Sequence, residues 1–114
     1  MNLLQQQIDQ ELPRLLASPD FGDDLWLTFY ISGHPDALTK LVEELGSKAY
    51  INLDGADGGM IYAKRQVQKG PAEIRQLVSE ADAMAQSAGA EIMMVDADTS
   101  PDVRTSEFLT LFQA

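Results

Sequence analysis

The chain's single histidine, His34, stands in Ser32-Gly33-His34-Pro35-Asp36. A lone imidazole could act as a general base, but that role needs a nucleophile or a second acid–base group within reach. Ser32-Gly33-His34 has no companion resembling a nucleophile elbow. Its setting suits a helix start better: Pro35 fits the first helical position and Asp36 the positive end of the helix dipole. With one histidine and no cysteine, a multi-histidine centre, a thiolate zinc site and a cysteine nucleophile are all excluded. Asp96 to Glu107 sets oxygen side chains at the first, third, fifth and seventh places, an apolar residue at the eighth and glutamate at the twelfth. That is the ligand spacing of an EF-hand calcium loop. Its sixth place, where the sharp turn calls for glycine, is Pro101, which cannot adopt positive φ. An ordinary acidic turn is therefore expected, with Asp96 and Asp98 at most a weak cation pair, and no metal or cofactor is expected. The glycines of Asp54-Gly55-Ala56-Asp57-Gly58-Gly59 lead into a strand and lack a following Lys-Ser or Lys-Thr, so they fit a tight turn rather than a phosphate loop. These residues point to binding, not catalysis.

Composition narrows what could be bound. Eighteen acidic residues against eight basic ones leave a net charge of −10. Such a surface repels nucleic-acid backbones and anionic membranes, and suits a basic protein or simple solubility. Hydrophobic residues make up 45% of the 114, enough for a core and too many for a disordered chain. No apolar run approaches the roughly 20 residues that span a bilayer. The opening Met1-Asn2-Leu3-Leu4-Gln5-Gln6-Gln7 has no basic residue before its leucines, so no secretory signal is read and a cytoplasmic location is expected.

The elements that must position these residues follow from periodicity. Leu4, Ile8 and Leu12 form a helical stripe over 2–12 that Pro13 should end or kink, with the terminal helix extending to about residue 16. Leu25 to Ile31 reads as a strand. Leu38, Leu41, Val42 and Leu45 make a second helix closed by Gly46. Lys48 to Leu53 and Met60 to Val67 read as a hairpin across the Asp54–Gly59 turn. Gly70-Pro71 opens the longest helix, striped by Ile74, Leu77, Val78, Ala81, Met84, Ala85 and Ala88. Glu91 to Val95 reads as the fourth strand, and Phe108, Leu109 and Phe112 as part of a short helix over 103–112. The expectation is one α+β domain, 1–114, with a core of about 25–96. It is a ferredoxin-like β-α-β-β-α-β sandwich with a four-stranded antiparallel sheet, plus an N-terminal and a short C-terminal helix.

Alternation then sorts the faces. Leu25, Leu27, Phe29 and Ile31, with Ala49, Ile51, Leu53, Ile61 and Ala63, should lie beneath the central helices. Trp26, Tyr30, Tyr50 and Tyr62 should share the other face with Thr28, Asn52, Met60 and Lys64. That face is a candidate partner or dimerisation surface, unless a terminal helix folds across it. RNA-recognition domains stack bases on a comparable face, but Gly59 to Arg65 lacks their glycine-and-aromatic pattern, and Lys64, Arg65 and Lys69 are few cations in so acidic a chain. Direct nucleic-acid binding is not expected.

The helix before the first strand, the Asp- and Gly-rich turn Asp54 to Gly59, and the long run Leu77 to Ile92 resemble the regulator of ribonuclease activity B family, the ribonuclease E inhibitor proteins. The resemblance covers about residues 2 to 98 and implies a ferredoxin-like fold and inhibition by protein–protein contact, without a cofactor. Many members follow the last helix with Tyr-Asp-Gly-Trp, where this chain reads Ile92-Met93-Met94-Val95, and no functional residue carries over. Gly33 to Leu41 is also similar to the first loop and helix of ACT domains, which bind amino acids; that implies a ligand at Ser32, Gly33, His34 and Asp36. The expectation is a non-enzymatic protein-binding regulator whose partner is a protein, a ribonuclease under the resemblance, or a second copy of the chain. Loop acids Asp20, Asp23, Asp24, Asp54 and Asp57, with Trp26, Tyr30, Tyr50 and Tyr62, are its candidate contacts. The alternatives are an amino-acid-sensing domain and an immunity-type inhibitor of a toxin.

Overall fold

The computed structural model describes residues 3–101 and 108–114. Its elements, in chain order, are α1 (Leu3–Ala17), β1 (Asp24–Ser32), α2 (Pro35–Gly46), β2 (Met60–Gln68), α3 (Pro71–Ser87), β3 (Glu91–Asp98) and β4 (Phe108–Gln113). The strands form one antiparallel sheet in the order β2-β1-β3-β4. The chain is thus an α+β protein with a four-stranded antiparallel sheet, as expected, but one strand is not the one read from sequence.

β1 holds the sheet's centre because its inward side chains leave it no other place. Leu25, Leu27, Phe29 and Ile31 are all fully buried, beside Ile61, Ala63, Ile92, Val95 and Ala97 from its neighbours and next strands. α2 presents Leu38, Leu41 and Leu45, and α3 presents Ile74, Leu77, Val78 and Ala81, to the same core. α1 joins them on that side through Leu4, Ile8, Leu12 and Leu15. The helix does not end at Pro13 but continues to Ala17. A proline in a helix interior costs about 3 kcal/mol, and the burial of Leu12 and Leu15 on either side of it offsets that cost.

Three readings are corrected. Lys48 to Leu53 is not a strand: Ala49 (φ 69°) and Asn52 (φ 60°) are left-handed, and only Ile51 bridges to Lys64. Those turns rotate Tyr50 off the expected face and into the core, where its ring meets Phe29 at 6.1 Å, while Ile51 is left 40% exposed. The larger aromatic surface wins the buried place. The expected C-terminal helix is instead β4 over Phe108–Gln113; the remainder of that reading, 103–107, lies outside the described residues. β3 continues to Asp98, so Asp96 and Asp98 belong to a strand, not to the expected acidic turn.

Tyr50 pays a visible cost for its place: its hydroxyl is buried with no hydrogen-bond partner. Burial pushes the phenol up to about 12, against the opposing influence of the Arg65 guanidinium over the ring at 5.9 Å. A buried, unpaired hydroxyl costs about 1–3 kcal/mol. Tyr50→Phe should therefore leave the melting temperature unchanged or raise it, whereas Tyr50→Ala should lower stability by about 3–5 kcal/mol; thermal unfolding of the two variants checks both.

Candidate functional site: the helix-free sheet face

Because α1, α2 and α3 all pack on one side, no described helix lies on the other face of the sheet. Alternation brings Trp26, Thr28 and Tyr30 of β1 to that face, with Tyr62, Lys64 and Gln66 of β2 and Met94, Asp96 and Asp98 of β3. Thr28 is its hub, paired across the strands with Lys64 on one side and Asp96 on the other. Tyr30 and Tyr62 are cross-strand partners whose rings meet edge to face, centroids 5.2 Å apart.

The centre of this face is polar and buried. Thr28, Lys64, Asp96 and Asp98 are each between 2 and 6% exposed. The Thr28 hydroxyl donates to Asp98 Oδ2 and accepts from Lys64 Nζ at 2.9 Å, and Lys64 Nζ lies 3.5 Å from Asp98 Oδ2. The Tyr30 hydroxyl donates to Asp96 Oδ2 at 2.9 Å, while Asp96 Oδ1 is buried without a partner. Burial raises the Asp96 carboxyl above its ordinary value and the Asp98 charge adds to this; the Tyr30 and Thr110 hydroxyls and the Lys64 ammonium oppose it. Burial likewise raises the Tyr30 phenol, reinforced by its bond to Asp96. Apart from Asp96 Oδ1, the hydrogen bonds found here run among these groups themselves.

The expected site residues divide into separate groups. Trp26, Tyr30 and Tyr62 share the face as expected, whereas Tyr50 lies in the core on the opposite side. Asp23 and Asp24 stand where β1 starts and β2 ends, Asp24 opposite Gln68, with Asp20 in the preceding loop. Lys69 binds this loop, donating to the carbonyls of Ser18 at 3.0 Å and Phe21 at 2.8 Å. Asp54 and Asp57 precede β2 and so sit by the other end of β1, where Ser32 faces Met60. The nine residues of β1 set the two acidic groups about 27 Å apart, too far for one small contact patch. His34 is spent on capping: its Nδ1 accepts from the Asp36 N–H at 3.2 Å. Gly33 is confined by Ala90, whose Cβ lies 3.1 Å from where a Gly33 Cβ would stand. Among the described residues, no cluster of three His, Asp or Glu could hold a metal ion, and no helix is long and apolar enough to cross a membrane.

Asp96 and Asp98 are the residues that sequence reading missed as part of this face. Their signal was the i, i+2 spacing that continues the alternation of β3, hidden because aspartate reads as a turn former. Compared with models of protein families, with curated proteins and with solved structures, the chain matches none of them.

Two outcomes test the buried network. Lys64→Met should destabilise the protein by about 3–5 kcal/mol, because it strands the Asp98 charge, and Lys64→Met combined with Asp98→Leu should recover most of the loss; chemical denaturation measures both. Asp96 has the opposite sign. Its raised carboxyl binds a proton more tightly folded than unfolded, so its contribution is fullest below the ordinary value of 3.8 and is lost as pH rises through the folded-state value. Asp96→Asn keeps an acceptor for Tyr30 and removes the charge. It should raise the melting temperature near neutral pH, with the gap from wild type narrowing as the pH is lowered into the acid range.

Proposed function

We propose that the chain is a non-enzymatic regulator that binds a protein through the helix-free sheet face, with a ribonuclease as the first partner to test. The observation that carries this reading is the placement of the three described α-helices on one side, which leaves Trp26, Tyr30 and Tyr62 around a fixed polar centre. Rigid aromatic anchors set in a pre-organised surface are the usual source of binding energy between proteins. The charge of −10 and the acids at both ends of β1 would steer a basic partner onto it. We also read the architecture as a ferredoxin-like sandwich with an added edge strand. The Ile51–Lys64 bridge supports this, since it lies on the outer edge of β2, where the second strand of that fold would run.

Titration against purified ribonuclease E at low and moderate salt tests the reading. Trp26→Ala and Tyr62→Ala should each weaken binding by at least about thirtyfold. Neutralising Asp23 and Asp24, or Asp54 and Asp57, should chiefly slow association and flatten its salt dependence, and the two pairs should act additively at their separation. No binding to the enzyme sinks it as the partner, and binding untouched by the aromatic variants sinks the face as the contact. Saturable thermal stabilisation by a free amino acid, abolished at His34 or Asp36, would favour the sensing loop instead.

A further inference from the structure

The sheet has two edges, and among the described residues they are covered unequally. On the outer edge of β2, Lys64 bridges to Ile51 in both directions, N–H to carbonyl at 2.8 and 3.0 Å, and the Arg65 guanidinium donates to the Lys48 carbonyl at 3.0 Å. Charges and a covering segment of this kind are how folded proteins keep a sheet edge from pairing with another chain. β4, at the other edge, reads Phe108-Leu109-Thr110-Leu111-Phe112-Gln113, with no charge, no proline and no glycine. The Ala114 N–H donates to the Met93 carbonyl at 2.8 Å while the Gln113 N–H points away from β3, a phase that gives Phe112 and Leu109 the hydrogen-bonded places opposite Val95 and Ala97 and turns the Thr110 N–H and C=O outward. The register shift beside Thr110 bends the far end of the strand, and there the Gln113 N–H is taken by the Gln7 side-chain carbonyl at 3.2 Å. The first half of β4 carries no such cover among the described residues, and Phe108 is 66% exposed on it. Beside the strand, a cleft of about 450 Å³ runs between β4 and α1; its lining includes Gln6, Gln7, Gln10, Thr110 and Leu111, with Glu11 as its one charged residue.

We propose that β4 is the contact strand of a homodimer, in which a second copy lays its own β4 antiparallel along the outward edge near Thr110. The charge distribution selects this occupant. Two copies at −10 each repel over most of their surfaces, so they can approach only where that charge is missing. The β4 edge is such a place: the strand is uncharged, and the nearby acids of α1 are paired, Asp9 with Arg75 at 2.7 Å and Glu11 with Arg14 at 3.8 Å. A basic partner, by contrast, gains nothing from a neutral edge. Antiparallel strand addition is also self-complementary, since each copy offers the same outward donor and acceptor about a two-fold axis. Side chains of the incoming strand would enter the cleft beside α1.

Sedimentation or light scattering of the full chain over a concentration series tests this. The wild type should pass from monomer to dimer, and added salt should favour the dimer by screening the overall repulsion. Phe108→Lys places a like charge on each edge at an exposed position, and should weaken dimerisation at least about tenfold, with a melting temperature unchanged at concentrations where both chains are monomeric. Thr110→Pro removes the outward N–H and should also weaken dimerisation, with a lower melting temperature because it loses the hydroxyl bonded to Asp96; if that variant does not fold, Phe108→Lys still decides. A chain that is monomeric at every concentration overturns the proposal, as does a dimer whose affinity neither variant changes. A basic partner's binding should weaken with salt, so failure here stays distinguishable from failure of the regulator reading.

Discussion

Alternation along β1 is the constraint from which the remaining architecture follows. Four consecutive inward positions, Leu25, Leu27, Phe29 and Ile31, are fully buried, and β1 is the strand that pairs with both β2 and β3. A slip of one residue would expose all four and turn Trp26, Thr28 and Tyr30 toward the helices. At about 1.5–3 kcal/mol for each large apolar side chain, that exchange would cost roughly 6–12 kcal/mol, comparable with the whole stability of a small domain. The helices are placed by the same stripe, because α1, α2 and α3 each have an apolar side to bury and only one apolar sheet face on which to bury it.

The polar face is a consequence of that register and a check upon it. Thr28 meets Lys64 and Asp96 as cross-strand neighbours, and Asp98 reaches the same hydroxyl from beside Trp26. Desolvating an ammonium and two carboxylates is expensive, and the Lys64–Asp98 pair recovers little beyond its own cost. The partners close only when β1, β2 and β3 are aligned as they are. A misaligned sheet would leave the charges buried and unpaired, a penalty that apolar residues at these positions would not impose.

Much of this could be read in the sequence where the local signal and the tertiary outcome agree. α2 announces itself through His34-Pro35-Asp36 and its leucines, and the structure has that cap and that stripe. The inward residues of β1 and the grouping of Trp26, Tyr30 and Tyr62 follow from parity alone. Reading failed where a distant partner decides. Asp96 and Asp98 are turn formers by type, but hydroxyls and an ammonium from β1 and β2 hold them in a strand. Phe108, Leu109 and Phe112 fit helical spacing, and only the open edge of β3 makes them a strand; short apolar runs carry no period that separates the two. The segment from Lys48 to Leu53 alternates convincingly, yet Tyr50 has the greater surface to bury and two left-handed residues let it do so.

The division of charge gives the two proposed contacts room to coexist. Acids gather in the loops at the two ends of β1, the aromatic residues occupy one broad face, and the neutral strand lies along one edge. Strand addition extends a sheet within its own plane, so a second copy on β4 would cover neither face. It would instead set Phe108, aligned across β3 with Asp98 and Trp26, near the dimer axis, and bring two aromatic faces into one continuous surface. Two faces held in fixed relation act together, the second binding event becoming intramolecular. Edge pairing would thus strengthen capture of a partner without adding any residue to the face that captures it.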